Sequence, residues 1–253
     1  MINVITATYN RKEVTRKFIE CLNKQTYKDW RLILIDNGDD DTWQMVDEMK
    51  KDNLDTQYFG VYNDQKSYWA ESMNIAIDII NAWQLESDYI LICNDDILFD
   101  EKFIEDGIDS LLTGEWLDLK ECIVTADKRI FINWKRWEFN EALKYANCCS
   151  TRALFMSYES FINLGGFTKW LPQYLSDYAY THKAWKRNYK IGASPNKFID
   201  QKVEKKKRFI FSKLNPSNPI YFSVFIFLHC PKKYWIKNLI KVWYNGFRKA
   251  LKN

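Results

Sequence analysis

Apolar runs of strand length and stretches of helical periodicity alternate along the first half of the chain. INVITAT (2–8), RLILID (31–36), QYFGVY (57–62) and YILIC (89–93) are β-prone runs bounded by polar residues. Between them, 13–24 places Val14, Phe18, Ile19 and Leu22 on one side of a helix, and helical patterns recur near 42–51, 70–84 and 101–112. Strands that alternate with amphipathic helices predict an α/β fold, with a mixed, mostly parallel sheet flanked by helices. Beyond residue 120 the pattern loosens. CIVTA (122–126), RIFINW (129–134) and TRALFMSY (151–158) read as strands, and a helix is expected near 178–188.

Composition narrows this picture. A chain of 253 residues suits one large domain, or one domain with an appendage. Aromatic residues make up 17% and only 8 glycines occur, which argues against disorder over most of the length. The six cysteines (21, 93, 122, 148, 149, 230) form no C-x-x-C pair, so buried free thiols in a reducing compartment are expected. The opening MINVITATYNR lacks a signal-peptide pattern, which points to a cytoplasmic protein. The net charge of +4 conceals a split. Residues 1–196 carry 23 Lys and Arg against 31 Asp and Glu, whereas 197–253 carry 14 against 2. An acidic part, 1–196, and a basic extension, 197–253, are therefore expected to meet different partners.

The strand ends carry the candidate chemistry, because ligands of open α/β sheets bind beyond the carboxyl ends of the strands. Strand one ends in Thr8-Tyr9-Asn10-Arg11, strand two in Asp36-Asn37-Gly38 and strand four in Asn94-Asp95-Asp96. No G-x-G-x-x-G and no G-x-x-x-x-G-K-[ST] is present, which argues against a glycine-cradled phosphate. Adjacent carboxylates offer another route: they bind a hard cation, Mn2+ or Mg2+, and the cation holds a diphosphate. Asn-Asp-Asp also simply turns a chain, and the tripeptide alone does not separate the two readings.

The ordered set of motifs resembles a family. VITATYNRKEVTRKFIECLNKQTYKDWRLILIDNGDDD (4–41), YWAESMNIAI (68–77) with YILICNDD, and LGGFTKWLPQYLSDYAYTHKAWKRNYKIG (164–192) are similar to the family 2 glycosyltransferases of the GT-A fold. The resemblance implies an inverting sugar transferase using a nucleotide-diphosphate donor, such as a UDP- or dTDP-sugar. It implies that Tyr9 packs on the base and Asp36 bonds base or ribose, with Thr8, Arg11 and Asn74 at the same donor site. It further implies that Asp95 and Asp96 serve ribose, metal and diphosphate, with Asp96 contacting the metal, and that Asp177 is the general base. A carboxylate within reach of an acceptor hydroxyl can take its proton near neutral pH. Ser176 or Asp177 also suits the role of helix cap. Two departures stand out: Ser176-Asp177 replaces the usual Glu-Asp, and the acidic run Asp39-Asp40-Asp41 follows Gly38. His182 is a further metal candidate, set against a packed or surface histidine.

The tail poses a separate question. IYFSVFIFL (220–228) is about half the length that spans a bilayer. In 232–253 a helix would line up Ile236, Leu239, Ile240, Trp243, Phe247 and Leu251, with Lys237, Lys241, Arg248 and Lys249 largely around them. Such a helix suits an anionic membrane surface, or else packs its stripe on the catalytic part. No nucleic-acid recognition motif is present. The expected acceptor is a glycan or lipid-linked oligosaccharide of cell-surface polysaccharide synthesis, handled at the inner face of the membrane. The rival readings are a sugar nucleotidyltransferase and a non-catalytic nucleotide-sugar-binding protein.

Overall fold

A computed structural model of the chain describes residues 1–52, 57–63, 67–113, 122–202 and 208–251. Its centre is a seven-stranded sheet of β1 (Ile2–Thr8), β2 (Trp30–Asp36), β3 (Gln57–Tyr62), β4 (Tyr89–Cys93), β6 (Cys122–Thr125), β10 (Ala153–Ser157) and β11 (Lys190–Ala193). The spatial order is β11-β6-β10-β4-β1-β2-β3. β1 is parallel to both β2 and β4, while β10 is antiparallel to β4 and β6.

Side-chain alternation explains the two faces. Val4, Leu32, Leu34 and Leu91 point into one core with Phe18, Ile19 and Leu22 of α1 (Lys12–Asn23) and with Phe103 and Ile104 of α4 (Phe103–Thr113). Ile5, Ile33, Ile35, Ile90 and Ile92 point the other way. There they meet α3 (Trp69–Ala82), α5 (Tyr158–Leu164) and α6 (Ser176–Lys186). A strand buried on both faces needs an unbroken apolar run, as β4 has. Helix α2 (Thr42–Asp52) covers the β2–β3 side.

β7 (Arg129–Asn133) is the strand expected from RIFINW, and it forms a small antiparallel sheet with β8 (Glu138–Glu141) and β9 (Cys148–Cys149), while β5 (Ile97–Phe99) pairs with β12 (Phe198–Asp200); β5, β8, β9 and β12 had no readable signal in the sequence. The change in charge near Asn196 is not a break in packing, because β12 joins β5 and Gln201 N donates to Asp96 O at 2.8 Å.

The basic extension forms two helices, α7 (Pro219–His229) and α8 (Trp235–Ala250), which pack on each other and on the small sheet. The stripe expected of α8 is corrected. Its buried face is Asn238, Val242 and Gly246, four residues apart, with Leu239 and Trp243 partly covered. Ile236, Ile240, Phe247 and Leu251 stay exposed. The inward rotation is fixed by polar anchors: Asn238 Nδ2 donates to Trp134 O at 2.9 Å and Trp243 Nε1 to Ser223 Oγ at 3.1 Å. Gly246 lets the helix pair approach closely, since a Cβ there would press on Pro219 Cγ at 3.1 Å. Of the basic block that begins at Lys205, residues 205–207 lie outside the described residues. Among the described residues no helix is long and apolar enough to cross a membrane. All six cysteines are free, and all but Cys21 are buried.

Candidate active site

The parallel register brings the ends of β1 and β2 side by side, with Thr8 opposite Asp36. Asn37 N donates to Thr8 O at 3.0 Å and Asp39 N to Asn10 Oδ1 at 2.6 Å, so the two strand-end loops lock together. Asn10 has a positive φ of 49°, a left-handed conformation that Asn adopts more readily than most residues. The loops tolerate no bulk at Gly38, where a Cβ would meet Asn10 Oδ1 at 2.6 Å.

Asp36 is fully buried, and burial pushes its carboxyl up to about 6 even though Gly38 N donates to its Oδ1 at 2.9 Å. Its Oδ2 is buried and has no partner. A buried acceptor without a donor is costly, by ~1–3 kcal/mol, and marks a place where a ligand group can complete the bond. Tyr9 is half-exposed at the rim of the same edge.

Asp95 and Asp96 follow β4. Asp95 is buried; Thr15 Oγ1 donates to its Oδ2 at 2.8 Å, and Thr8 Oγ1 bonds Thr15 Oγ1 at 2.7 Å. Arg11 reaches both carboxylates, at 3.2 Å from Asp95 Oδ1 and 3.6 Å from Asp96 Oδ2. Burial raises the Asp95 carboxyl to about 6 against the opposing pull of Arg11 and Thr15. Thr8, Arg11 and Asp95 are thus one hydrogen-bonded unit, and Asp95 is wholly engaged by protein groups. Asp96 is different: it is partly exposed, and its Oδ1 is a second buried carboxylate oxygen without a hydrogen-bond partner.

Arg152, just before β10, carried no signal in the sequence because its loop has no strand-end pattern. It stands 3.8 Å from Asp96 Oδ1 and 4.0 Å from Asp127 Oδ2, bonds Asp200, and lies over the Phe198 ring. Burial works against its charge, but Asp200, Asp96 and Asp127 outweigh it and hold its pKa above the usual value.

Asp177 lies in the first turn of α6. The residue at the cap position is Leu175, in a left-handed conformation with φ 61° and no side-chain cap bond, so neither Ser176 nor Asp177 serves as the expected cap. Asp177 Oδ1 instead accepts from Tyr178 N at 2.8 Å. Burial raises its carboxyl to about 7, with Asp127 adding to the shift. A non-glycine residue held left-handed costs ~1–2 kcal/mol, and such strain concentrates at functional sites.

Two expected residues have other surroundings. Asn74 gives both polar ends of its amide to one backbone position, donating to Phe167 O at 3.0 Å and accepting from Phe167 N at 2.7 Å. It ties α3 to the Gly165-Gly166-Phe167 turn. His182 is fully buried, with Nδ1 2.8 Å from Asn147 O and its ring against Trp134, Trp185, Phe225 and His229. Burial lowers its pKa to about 4. It is a packed core histidine, enclosed by aromatic rings rather than set among carboxylates.

The arrangement suits a divalent cation held jointly with a ligand. Among the described residues no group of three or more His, Cys, Asp and Glu converges. Mg2+ and Mn2+ at phosphate sites use one or two carboxylates plus phosphate oxygens, so a full protein cage is not required. Asp96 Oδ1, which has no hydrogen-bond partner and only the Arg152 guanidinium at 3.8 Å, fits such a role.

This fold and edge define a GT-A glycosyltransferase scaffold. Residues 3–175 match the family described as Glycosyl transferase family 2, and the chain belongs to that family. No curated protein matches the chain. Among solved structures it is similar to S. aureus TarS 1–349 in complex with UDP-GlcNAc, with a TM-score of 0.63 and 14% identity, covering 100% of this chain and 74% of that one. It is also similar to the mannosyltransferase PcManGT from Pyrobaculum calidifontis in complex with GDP-Man and Mn2+, with a TM-score of 0.59 and 16% identity, covering 77% of this chain and 54% of that one. A further S. aureus TarS structure matches with a TM-score of 0.57 and 16% identity, covering 90% of this chain. The chain spans about half the length of the mannosyltransferase and 44% of this second TarS chain. At these identities the likeness shows the fold.

Proposed function

We propose that this protein is a metal-assisted, inverting glycosyltransferase acting on a nucleoside-diphosphate sugar. The observation that carries the reading is the pair of buried carboxylate oxygens without a hydrogen-bond partner, Asp36 Oδ2 and Asp96 Oδ1, beyond the ends of two strands that both run parallel to β1. Asp36 Oδ2 would accept an N–H of the base, with Tyr9 over it, as the base of a UDP- or dTDP-sugar could supply. Asp95 would keep Arg11 and Thr15 in place, while Asp96 would hold Mn2+ or Mg2+ against the diphosphate. The cation would neutralise charge on the departing diphosphate. The complexes of TarS with UDP-GlcNAc and of the mannosyltransferase with GDP-Man and Mn2+ support donors of this chemistry.

Asp177 is the base. The acceptor O–H loses its proton to the Asp177 carboxylate as the oxygen attacks the anomeric carbon from the face opposite the diphosphate. The carbon–oxygen bond to the diphosphate breaks, its electron pair leaves with the nucleoside diphosphate, and the configuration inverts. The raised pKa of Asp177 makes it a stronger base than a free carboxylate. The acceptor proposed is a glycan or lipid-linked oligosaccharide of a cell-surface polysaccharide, with the enzyme peripheral at the inner face of the membrane.

Asp177→Asn tests the reading, because the amide oxygen can still accept from Tyr178 N. Transfer, or slow hydrolysis of the donor, is expected to fall at least about 100-fold while donor affinity stays within about twofold. Normal transfer by Asp177→Asn would rule out the base.

A further inference from the structure

We infer that the outer face of α8 docks on an anionic phospholipid surface. This extends the membrane-linked acceptor proposed above and rests on that reading for its purpose. The surface itself is argued from packing and charge.

At about 100° per residue, Ile236, Phe247, Ile240, Leu251 and Tyr244 fall within an arc of about 80° on α8. All five are exposed, Ile236 at 77%, Ile240 at 65% and Leu251 at 89%. The other face of the helix is committed to the protein through Asn238, Val242 and Gly246. The exposed arc is therefore not a core face awaiting a fold. Its orientation is held by the anchors of Asn238 and Trp243. Phe211 packs on Trp243 and Phe247 and brings the exposed Phe209 beside the same arc.

Charge selects the occupant. Lys237, Lys241 and Arg248 lie next to the apolar arc, within about 40° of one another. Lys237 Nζ donates to Lys135 O at 3.1 Å and Lys241 Nζ to Arg136 O at 2.8 Å, which sets the exposed Lys135 and Arg136 beside them. After Glu204 the sequence has twelve Lys and Arg and no Asp or Glu. A second copy docking through the same face would bring like charge against like charge. An apolar arc edged by lysines and arginine matches a bilayer interface carrying negative headgroups, into which such a helix sinks by part of its width.

The test is co-sedimentation of the full chain with vesicles of phosphatidylcholine alone and of phosphatidylcholine with phosphatidylglycerol. Binding is expected only to the second kind and is expected to weaken with salt. Lys237→Glu/Lys241→Glu and, separately, Ile240→Asp/Phe247→Asp should each reduce it by about tenfold or more. Thermal stabilisation by a nucleotide sugar should be unchanged in both variants, which shows that they fold. Equal binding to both vesicles, or binding indifferent to both variants, overturns the inference. So does a concentration-dependent dimer in solution that the Ile240→Asp/Phe247→Asp change disperses. If no nucleotide sugar stabilises the wild-type chain, the catalytic reading fails instead, and the vesicle result stands apart from it.

Discussion

Arg152 Nη2 stands 3.8 Å from Asp96 Oδ1, so a guanidinium occupies the approach to the carboxylate that has no hydrogen-bond partner. Arg152 is itself held by Asp200 and Asp127. A fixed positive charge here opposes a free divalent cation and attracts a diphosphate. Arg152→Met is therefore expected to tighten Mn2+ binding without donor and to weaken binding of a nucleoside diphosphate in the presence of Mn2+. Each effect should be about tenfold, well below the ~4 kcal/mol of two unit charges 4 Å apart near a protein surface. Titration calorimetry with Mn2+ alone, then with the diphosphate, reads both signs. A change of the same sign in both would remove Arg152 from the site.

Asp177 gives a stability test with a definite sign. A carboxyl whose folded pKa is raised, here to about 7, binds protons more tightly folded than unfolded. Its effect is absent below the unfolded value near ~3.9 and becomes destabilising as pH rises toward 7. Asp177→Asn removes this penalty. At pH 8 the variant should be more stable by ~1 kcal/mol, or ~2–4 °C in Tm, and the gain should vanish near pH 4. In the wild type, transfer should rise with pH through about 7, since only the ionised form accepts a proton.

Asp36→Asn changes one atom at the proposed base contact. The side chain still accepts from Gly38 N, but an NH2 replaces the buried Oδ2 that has no partner. Affinity for a uridine or thymidine diphosphate should fall by ~1–3 kcal/mol, while inorganic pyrophosphate should bind as before. Calorimetry with the two ligands separates base recognition from a general loss of the site.

Gly107→Ala tests the core beneath the site. Helix propensity alone favours Ala by ~1 kcal/mol in mid-helix. In α4, however, a Cβ at 107 would lie 2.3 Å from two ring atoms of Phe155, a fully buried side chain of β10. Overpacking of this kind costs ~1–3 kcal/mol, so the substitution should destabilise, with a lower urea midpoint.

The legible parts of the chain were those where one periodicity acts alone. β1, β2 and β4 stand out because burial on both faces demands unbroken apolar runs, and their polar ends mark the site edge directly. β5, β9 and β12 are two or three residues long, and their pairing depends on distant partners that leave no local period. Arg152 was hidden for the same reason: its meaning comes from Asp96, Asp127 and Asp200, none of them near in sequence. The α8 stripe misled because apolar residues on adjoining arcs look like one face. Polar Asn238 and small Gly246 turned out to mark the buried side, through a carbonyl and a close helix contact.

The most direct measurement is calorimetric titration of a panel of nucleotide sugars into the wild-type chain and Asp96→Asn, with Mn2+ and with chelator. At least one donor should bind the wild-type chain with Mn2+ and lose at least about tenfold in affinity with chelator, and Asp96→Asn should show the weak value under both conditions. Tight binding by Asp96→Asn with the same metal dependence, or no donor binding at all, would contradict the proposed site.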